Sequence, residues 1–573
     1  MHTVEIVLLV LLLGAVTGIA ARYLRAIPLP LIQIGLGALL SWPQDGLHIA
    51  FDPELFLALF IPPLLFADGW RIPKRDFFAL QAPILRLALG LVLFTVLGLG
   101  TLIHWIIPGI PLGVAFALAA VVSPTDAVAV SAITRNLGMP ARTMHMLQGE
   151  SLLNDASGLV ALKFAVAVTL TGTFSWTAAA QEFLWLALGG LGVGVLLGKG
   201  FAVARETVTR RVGDVAATQM VLLMVLLPFA AYLLSEYIGV SGILAAVAAG
   251  FTTSYADLRR SSFITERIQS EGVWTVMETA FNGAAFLLLG LQLPSILGRT
   301  LEAAGGQWWL PIGQALAISG GLLGLRWIWL SLGVRSSLWR VHERGHMPER
   351  PSPLLTLAAT LAGIRGAVTL AGALSVPLLM SDGTLFPARD QLIYLATGTI
   401  LCTLVIGSIG LPLALRRLPP AGEPLSARED REARLAACRA VIEFLARPPP
   451  DAPAGDPAWR VQHQEAAGLL TQDYRKRIDM LDAPKVAQTP EAQAESAAVA
   501  YQRRQRYLLE MELRLDSLRI ERETLYAERQ AHRINDDTLR ALVAELDLSE
   551  VSLRKRLVVA RRALGLPVDE PGH

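Results

Sequence analysis

Apolar stretches long enough to cross a bilayer, or to half-cross it as broken helices, recur from the first residues to about residue 415. They lie near 4–21, 29–41, 53–68, 79–107, 111–133, 144–171, 181–203, 215–237, 239–254, 273–293, 309–333, 354–380 and 391–415. A spanning helix needs about 20 mostly apolar residues, so the pattern predicts about thirteen transmembrane segments, several interrupted by Pro or Gly. The connections alternate in charge. One set carries Arg22 and Arg25, then Arg71, Lys74 and Arg75, then Arg135 and Arg142, then Lys199, Arg205, Arg210 and Arg211. It continues with Arg259, Arg260 and Arg267, then Arg335, Arg340, Arg344 and Arg350. The intervening set is nearly free of Lys and Arg apart from Arg299 and Arg389. Basic loops stay on the cytoplasmic side, so the alternation predicts an odd number of spans, an N-terminus outside and a cytoplasmic tail. No basic stretch precedes the first apolar run, which therefore reads as a retained span and not as a leader.

After "LRRLPPAGEP" the periodicity changes. Residues 423–573 are rich in Arg, Glu, Ala and Leu, with a breaker, "RPPPDAPAGDPAW", at 447–459. Leu508, Met511, Leu515, Leu518 and Leu525 fall on one helical face, which suits either the inside of a helical hairpin or a self-association seam. "INDD" at 534–537 predicts a turn and a helix N-cap. The charge run of this tail reads as a solvated helical surface.

Composition agrees with this division. The 573 residues are 53% hydrophobic and 17% charged, whereas soluble domains carry about a quarter charged residues. A net charge of +2 selects no partner. Cys402 and Cys438 form no disulfide framework. No nucleic-acid motif, glycine-rich dinucleotide pattern or other cofactor signature is present, and no cofactor is expected.

Against this apolar background "GESLLNDASGLV" at 149–160 stands out, because a carboxylate at the centre of a membrane helix costs roughly 2.5–3.5 kcal/mol. The helical period puts Ser151 and Asp155 on one face with Asn154 beside them, and Glu150 roughly 140° away from Asp155. Gly158 leaves close backbone access one turn beyond Asp155. In the preceding span, "AAVVSPTDAVAVSAI", Pro124 removes a backbone donor and breaks the helix beside Thr125 and Asp126. A second candidate break is "LAGIRGAVTLAGAL", where Gly363, Gly366 and Gly372 surround Arg365. Broken membrane helices supply dipole ends and free carbonyls at the midplane, as ion sites of secondary transporters require. A carboxylate, a hydroxyl, an amide oxygen and carbonyls are hard ligands suited to a small alkali cation, and no His/Cys cluster offers a soft-metal site. Asp155 can hold either a proton or such a cation, the minimum machinery of a cation/proton exchanger.

"SPTDAVAVSAI", "GESLLNDASGLVALKFAVA" and "GIRGAVTLAGAL", in that order and spacing, with "FIPPLLFADGW" at 60–70, resemble the monovalent cation:proton antiporter-1 family, the bacterial Na+/H+ antiporters and their exchanger relatives. The match covers essentially the whole membrane portion. The resemblance implies an all-α polytopic fold with two broken, crossing helices and a helical cytoplasmic tail. It implies a transmembrane exchanger domain over 1–415, with a core bundle near 79–171 and 309–415 and a dimerisation bundle near 1–70 and 181–293. It further implies a secondary transporter, not an enzyme, in a bacterial inner (cell) membrane, exchanging Na+ (or Li+) for H+, electroneutral at one to one, as a homodimer. Asp155 would be the exchanging carboxylate, preceded by Asn154. Ser151, Thr125 and Asp126 would complete the cation site, and the bound metal would be monovalent Na+ only. Glu150 would form a structural pair with Arg326, and Pro124 and Arg365 would mark the crossing of the broken helices.

K+/H+ exchange is the alternative within the same fold. A serine hydrolase on Ser151 lacks the G-x-S-x-G turn and a base histidine nearby. Lys163 reads as snorkelling or locally paired. Glu278 and Asn282 either bond between helices or line an access route, and Asp68 is expected in the cytoplasmic access route. His48, His104 and His145, near span ends, are candidate proton sensors.

Overall fold

A computed structural model describes residues 2–24, 27–42, 53–134, 137, 139–171, 176–212, 217–257, 264–303, 307, 309–335, 352–380, 384–418, 425–447, 457–481, 490–531 and 533–567. Arg25, His48, Arg135, Arg259, Arg260, Arg340, Arg344, Arg350 and the stretch 448–456 of the predicted breaker lie outside the described residues. The chain forms two compact units, Met1–Ala421 and Gly422–His573.

In the first unit each predicted apolar segment is a helix or a broken run of helices. The N-terminal part is α1 (His2–Tyr23), α2 (Leu29–Ser41), α3 (Pro53–Leu59) and α4 (Ile61–Arg71). Next come α5 (Lys74–Ala79), α6 (Gln81–Leu85), a π-helical stretch Arg86–Leu91 and α7 (Val92–Ile106). The following elements are α8 (Leu112–Val122), α9 (Ala127–Thr134), α10 (Ala141–Thr171), α11 (Trp176–Val212) and α12 (Ala217–Ile238). The unit closes with α13 (Gly242–Asp257), α14 (Ile264–Ala303), α15 (Trp309–Arg335), α16 (Pro353–Leu361), α17 (Ala367–Leu374) and α18 (Arg389–Arg416).

Among the described residues seven continuous helices are long and apolar enough to cross a membrane, and the bent pair α8–α9 makes an eighth. The segments near 4–21, 29–41 and 239–254 are shorter apolar helices, and α16–α17 is a second interrupted pair. α8 explains the centre of the unit. Its sequence, LGVAFALAAVV, is apolar all round and rich in small residues, so neighbouring helices can close around it on every side. Ala115, Ala117, Ala119, Ala120 and Val122 are fully buried among side chains of α7, α10, α15 and α18.

The second unit contains α19 (Leu425–Leu445), α20 (Pro457–Leu481), α21 (Pro490–Gln530) and α22 (Asp536–Ala563). The apolar stripe of α21 faces inward: Tyr507, Leu508 and Met511 pack with Met480, Leu553, Leu557 and Ala560, which selects the hairpin reading. Asn535 caps α22 by accepting from the Thr538 amide at 2.7 Å. Arg529 donates to Asp536 at 2.7 Å, and Arg522 to Asp547 and Glu550 at 2.6 Å each. The hydrogen bond from Arg529 lowers the Asp536 pKa, and those from Arg522 and then Arg554 lower that of Glu550.

Candidate functional site

α8 stops at Val122 because Pro124 cannot continue its hydrogen-bond ladder, and the chain restarts as α9, bent by 41°. The α16–α17 interruption crosses this break. The amide of Asp126 donates to Ile364 O at 2.8 Å. Arg365 donates through Nε to Val122 O at 2.7 Å and through Nη2 to Ser123 O at 3.3 Å, and also bonds Gly363 O. The Val122 and Ser123 carbonyls are the negative end of α8, so a buried guanidinium there satisfies both acceptors and dipole. At the other end of the break the Asp126 carboxylate caps α9, accepting from Val128 and Ala129 amides at 2.8 and 3.1 Å. Gly366 permits this approach: a Cβ there would lie 2.0 Å from Asp126 Oδ2.

α10 runs past the break in close contact. A Cβ on Gly158 would stand 2.4 Å from Pro124 Cγ, so only glycine lets the helix lie against the proline ring. Ser151 Oγ donates to Thr125 O at 2.8 Å and accepts from the Ala127 amide at 3.3 Å, stitching α10 to the broken segment. Glu150 is held on both oxygens by Arg326, with Nη2 to Oε2 at 2.8 Å, and both residues are almost wholly buried. Arg326 Nε also donates to Ala359 O at 3.1 Å, tying α10, α15 and α16 together.

Asn154 sits differently from the expectation that placed it beside Ser151 and Asp155. Its Nδ2 donates to Thr125 Oγ1 at 2.8 Å, and that hydroxyl donates to Glu150 Oε1 at 3.3 Å. Four residues turn a helix by about 40° beyond a full turn, so Asn154 stacks over Glu150 and belongs to the ion-pair side. Asn154 Oδ1 is buried without a hydrogen-bond partner among the described residues.

Ser151, Asp155, Thr125, Asp126 and Pro124 line a cavity of about 60 Å³. Gly366 and Thr369 complete that wall, and the facing wall carries Ile61, Leu65 and Asp68 from α4 and Asn282 and Phe286 from α14. Asp68 is therefore a wall residue of the same cavity and not part of a separate access route. It reaches this position because α4 packs between α13 and α14, a placement that sequence spacing does not encode. Asp155 is 6% exposed, and its carboxylate has neither a hydrogen bond nor an ion pair among the described residues. The space is enough for a few waters, at about 10–15 Å³ of such volume each, or for one alkali ion. Residues bearing carboxylate and hydroxyl oxygens line it, a donor set for a hard monovalent cation or a proton.

Other expected residues lie elsewhere. Glu278 bonds Arg71, Lys163 is exposed on α10, and His104 Nδ1 lies 2.8 Å from Ile110 O. His145 Nδ1 lies 2.7 Å from Asp76 Oδ2. Sequence reasoning missed Ser157, whose hydroxyl donates to Ala88 O in the π-helical stretch at 2.6 Å. A π turn leaves little trace in hydropathy, and no spacing signal pointed to it.

The transmembrane profile of the family described as "Sodium/hydrogen exchanger" matches residues 7–417. An Escherichia coli (strain K12) protein named as an uncharacterised Na+/H+ exchanger, YjcE, is 42% identical over 564 residues, covering 96% of this chain and 98% of that one. A Bacillus subtilis (strain 168) protein named as a sodium, potassium, lithium and rubidium/H+ antiporter is 44% identical over 410 residues. That match covers 71% of this chain and 61% of the relative. The sodium proton antiporter MjNhaP1 from Methanocaldococcus jannaschii shares the fold, with a TM-score of 0.57 at 19% identity over 73% of this chain and 99% of that one. With its profile match, its close relatives and its two crossed helix breaks, the chain belongs to the sodium/hydrogen exchanger family.

Proposed function

We propose that the chain is a secondary antiporter exchanging Na+ or Li+ for H+, with Asp155 as the carboxylate that takes either ion. The observation that carries this reading is Asp155 itself: a buried carboxylate without a partner among the described residues, in a small cavity at the crossing of two broken helices. A carboxylate left charged in such a place is costly, and a proton or one monovalent cation relieves that cost equally in charge. A loaded Asp155 therefore lets the surrounding bundle move, whereas an empty one holds it back. One carboxylate alternating between two monovalent ions gives electroneutral one-to-one exchange.

Ser151, Thr125 and Asp126 supply the remaining oxygens, with the broken helices fixing their positions. Asn154 orders the Thr125 hydroxyl, Glu150 and Arg326 lock α10, and Pro124 and Arg365 hold the crossing. The cavity has one wall from α8–α10 and α17 and another from α4 and α14. This supports a core of 79–171 and 309–415 moving against a bundle of 1–70 and 181–293; in the proposed homodimer that bundle joins the two copies. The charge alternation of the loops supports a multi-pass cell-membrane protein with its N-terminus outside and the 423–573 tail in the cytoplasm. The sodium/hydrogen exchanger profile and the exchanger relatives support a transporter.

K+/H+ exchange is the second reading, favoured by the Bacillus relative whose name includes potassium. Purified protein in liposomes, given Na+, Li+ and K+ in turn across a pH series, tests both. Dissipation of an acid-inside pH gradient by Na+ or Li+, independent of membrane potential, is the expected result. Dissipation by K+ alone selects the second reading, and an active Asp155→Asn variant overturns the mechanism.

A further inference from the structure

The wall of the cavity that faces Asp155 continues outward as a second charged layer. On α4, Arg71 follows Asp68 by three residues; on α14, Glu278 precedes Asn282 by four. Such steps advance about one turn, roughly 5 Å, on nearly the same helical face, so one pair stacks on the other. Arg71 Nη1 bonds Glu278 Oε2, and Nη2 donates to Thr275 Oγ1 at 3.2 Å. The two side chains are 39% and 19% exposed, which puts them between the cavity and the surroundings.

The mounting of Arg71 is rigid. Lys74 is buried and donates Nζ to the Gly69, Trp70 and Ile72 carbonyls at 2.8, 3.0 and 3.0 Å, closing the end of α4. Its ammonium also lies 4.7 Å from the centre of the Phe251 ring. Electrostatically the two layers are one series. Glu278, Asp126 and Arg71 are the charges that act on Asp68, and Asp126 and Asp68 are those that act on Asp155.

We propose that the Arg71–Glu278 pair is an electrostatic gate that sets the cation affinity of the acidic cavity. This rests on the exchange reading above and names a specificity-determining element of it. A cation bound in the cavity would exchange water ligands for the oxygens of residues such as Asp155, Ser151 and Asp126, and the Arg71–Glu278 pair stands one helical turn outward of the cavity-lining Asp68 and Asn282. Arg71 is a permanent positive charge fixed at that point, and Glu278 offsets it. The balance of the two fixes the local potential, and through it the concentration of cations at the cavity.

The full-length protein in proteoliposomes at low ionic strength, titrated with Na+, Li+ and K+ at constant pH, tests the gate through three variants. Arg71→Gln lowers the apparent KM for the cation by about three- to tenfold, and Glu278→Gln raises it by a similar factor. The double variant, which is neutral at both positions, returns KM to within about twofold of the wild type, and turnover at saturating cation changes less than KM throughout. A pair that only braces α4 against α14 would instead be lost in all three variants, with lowered Tm, shifts in one direction and no recovery in the double variant; that outcome overturns the gate. Unchanged KM values in a wild type that exchanges cations overturn the gate alone. A wild type that moves no protons with any of the three cations overturns the gate and the exchange reading together.

Discussion

α10 presents two buried carboxylates five residues apart to opposite surroundings. Glu150 meets a bidentate guanidinium, an ordered hydroxyl and, through Arg326, the carbonyl of Ala359. Asp155 meets a small cavity and, among the described residues, no hydrogen-bond or ion-pair partner. The difference teaches how one helix divides its polar residues: a charge whose counter-charge is built in stiffens the protein, and a charge whose counter-charge is missing has to be met from outside.

The sharpest way to break this comparison is to neutralise each carboxylate in turn. Asp155→Asn is expected to abolish cation-driven proton movement to the protein-free background while Tm stays at or above that of the wild type, since an unpaired buried charge is removed. A drop in Tm with retained exchange would reverse the two roles. Glu150→Gln or Arg326→Met alone leaves an uncompensated buried charge and costs about 3–5 kcal/mol, read as a loss of monodisperse protein and a lower Tm in detergent. The pair Glu150→Gln with Arg326→Met costs less than either single change; a simple sum of the single losses would show that the two residues do not act on each other.

Smaller effects sharpen the picture. Gly158→Ala pushes a methyl group onto Pro124 and costs about 1–3 kcal/mol, with slowed exchange because the break beside Asp155 is displaced. Ser157→Ala removes the bond to Ala88 O and lowers stability by about 1 kcal/mol with the cation KM unchanged. The smallest effect lies in the tail. Asp536 and Glu550 have folded pKa values below their unfolded ones, so their contribution is complete above the ordinary carboxylate range of about 4. It fades as pH falls through the lowered values, and hydrogen exchange of α21 and α22 in the full-length chain at falling pH follows it.

Much of the framework could be read from the chain because membrane helices declare themselves through hydropathy. The breaks declared themselves too, at Pro124 and in the glycines around Arg365, since both residue types act on the backbone locally. Asn535 as a cap and the inward stripe of Leu508 and Met511 followed from local rules. Asn154 was legible but misgrouped: its spacing of four from Glu150 already placed it over that residue. Asp68 in the cavity wall and the Arg71–Glu278 bond depend on how α4 docks beside α14, across 207 positions in sequence, and no local pattern reports that docking. The bond from Ser157 to the π-helical stretch likewise joins positions 69 apart in sequence.

The crossing of the two interrupted helices has a mechanical consequence. Val122, Ser123 and Gly363 all lean on one guanidinium, and Asp126 N is fastened to Ile364 O, so neither interruption can straighten or tilt without dragging the other. The four half-helices behave as a single cartridge. In the proposed exchange, an ion seated at Asp155 would travel with oriented peptide dipoles around it, and the polar shell would not have to be rebuilt on each side of the membrane.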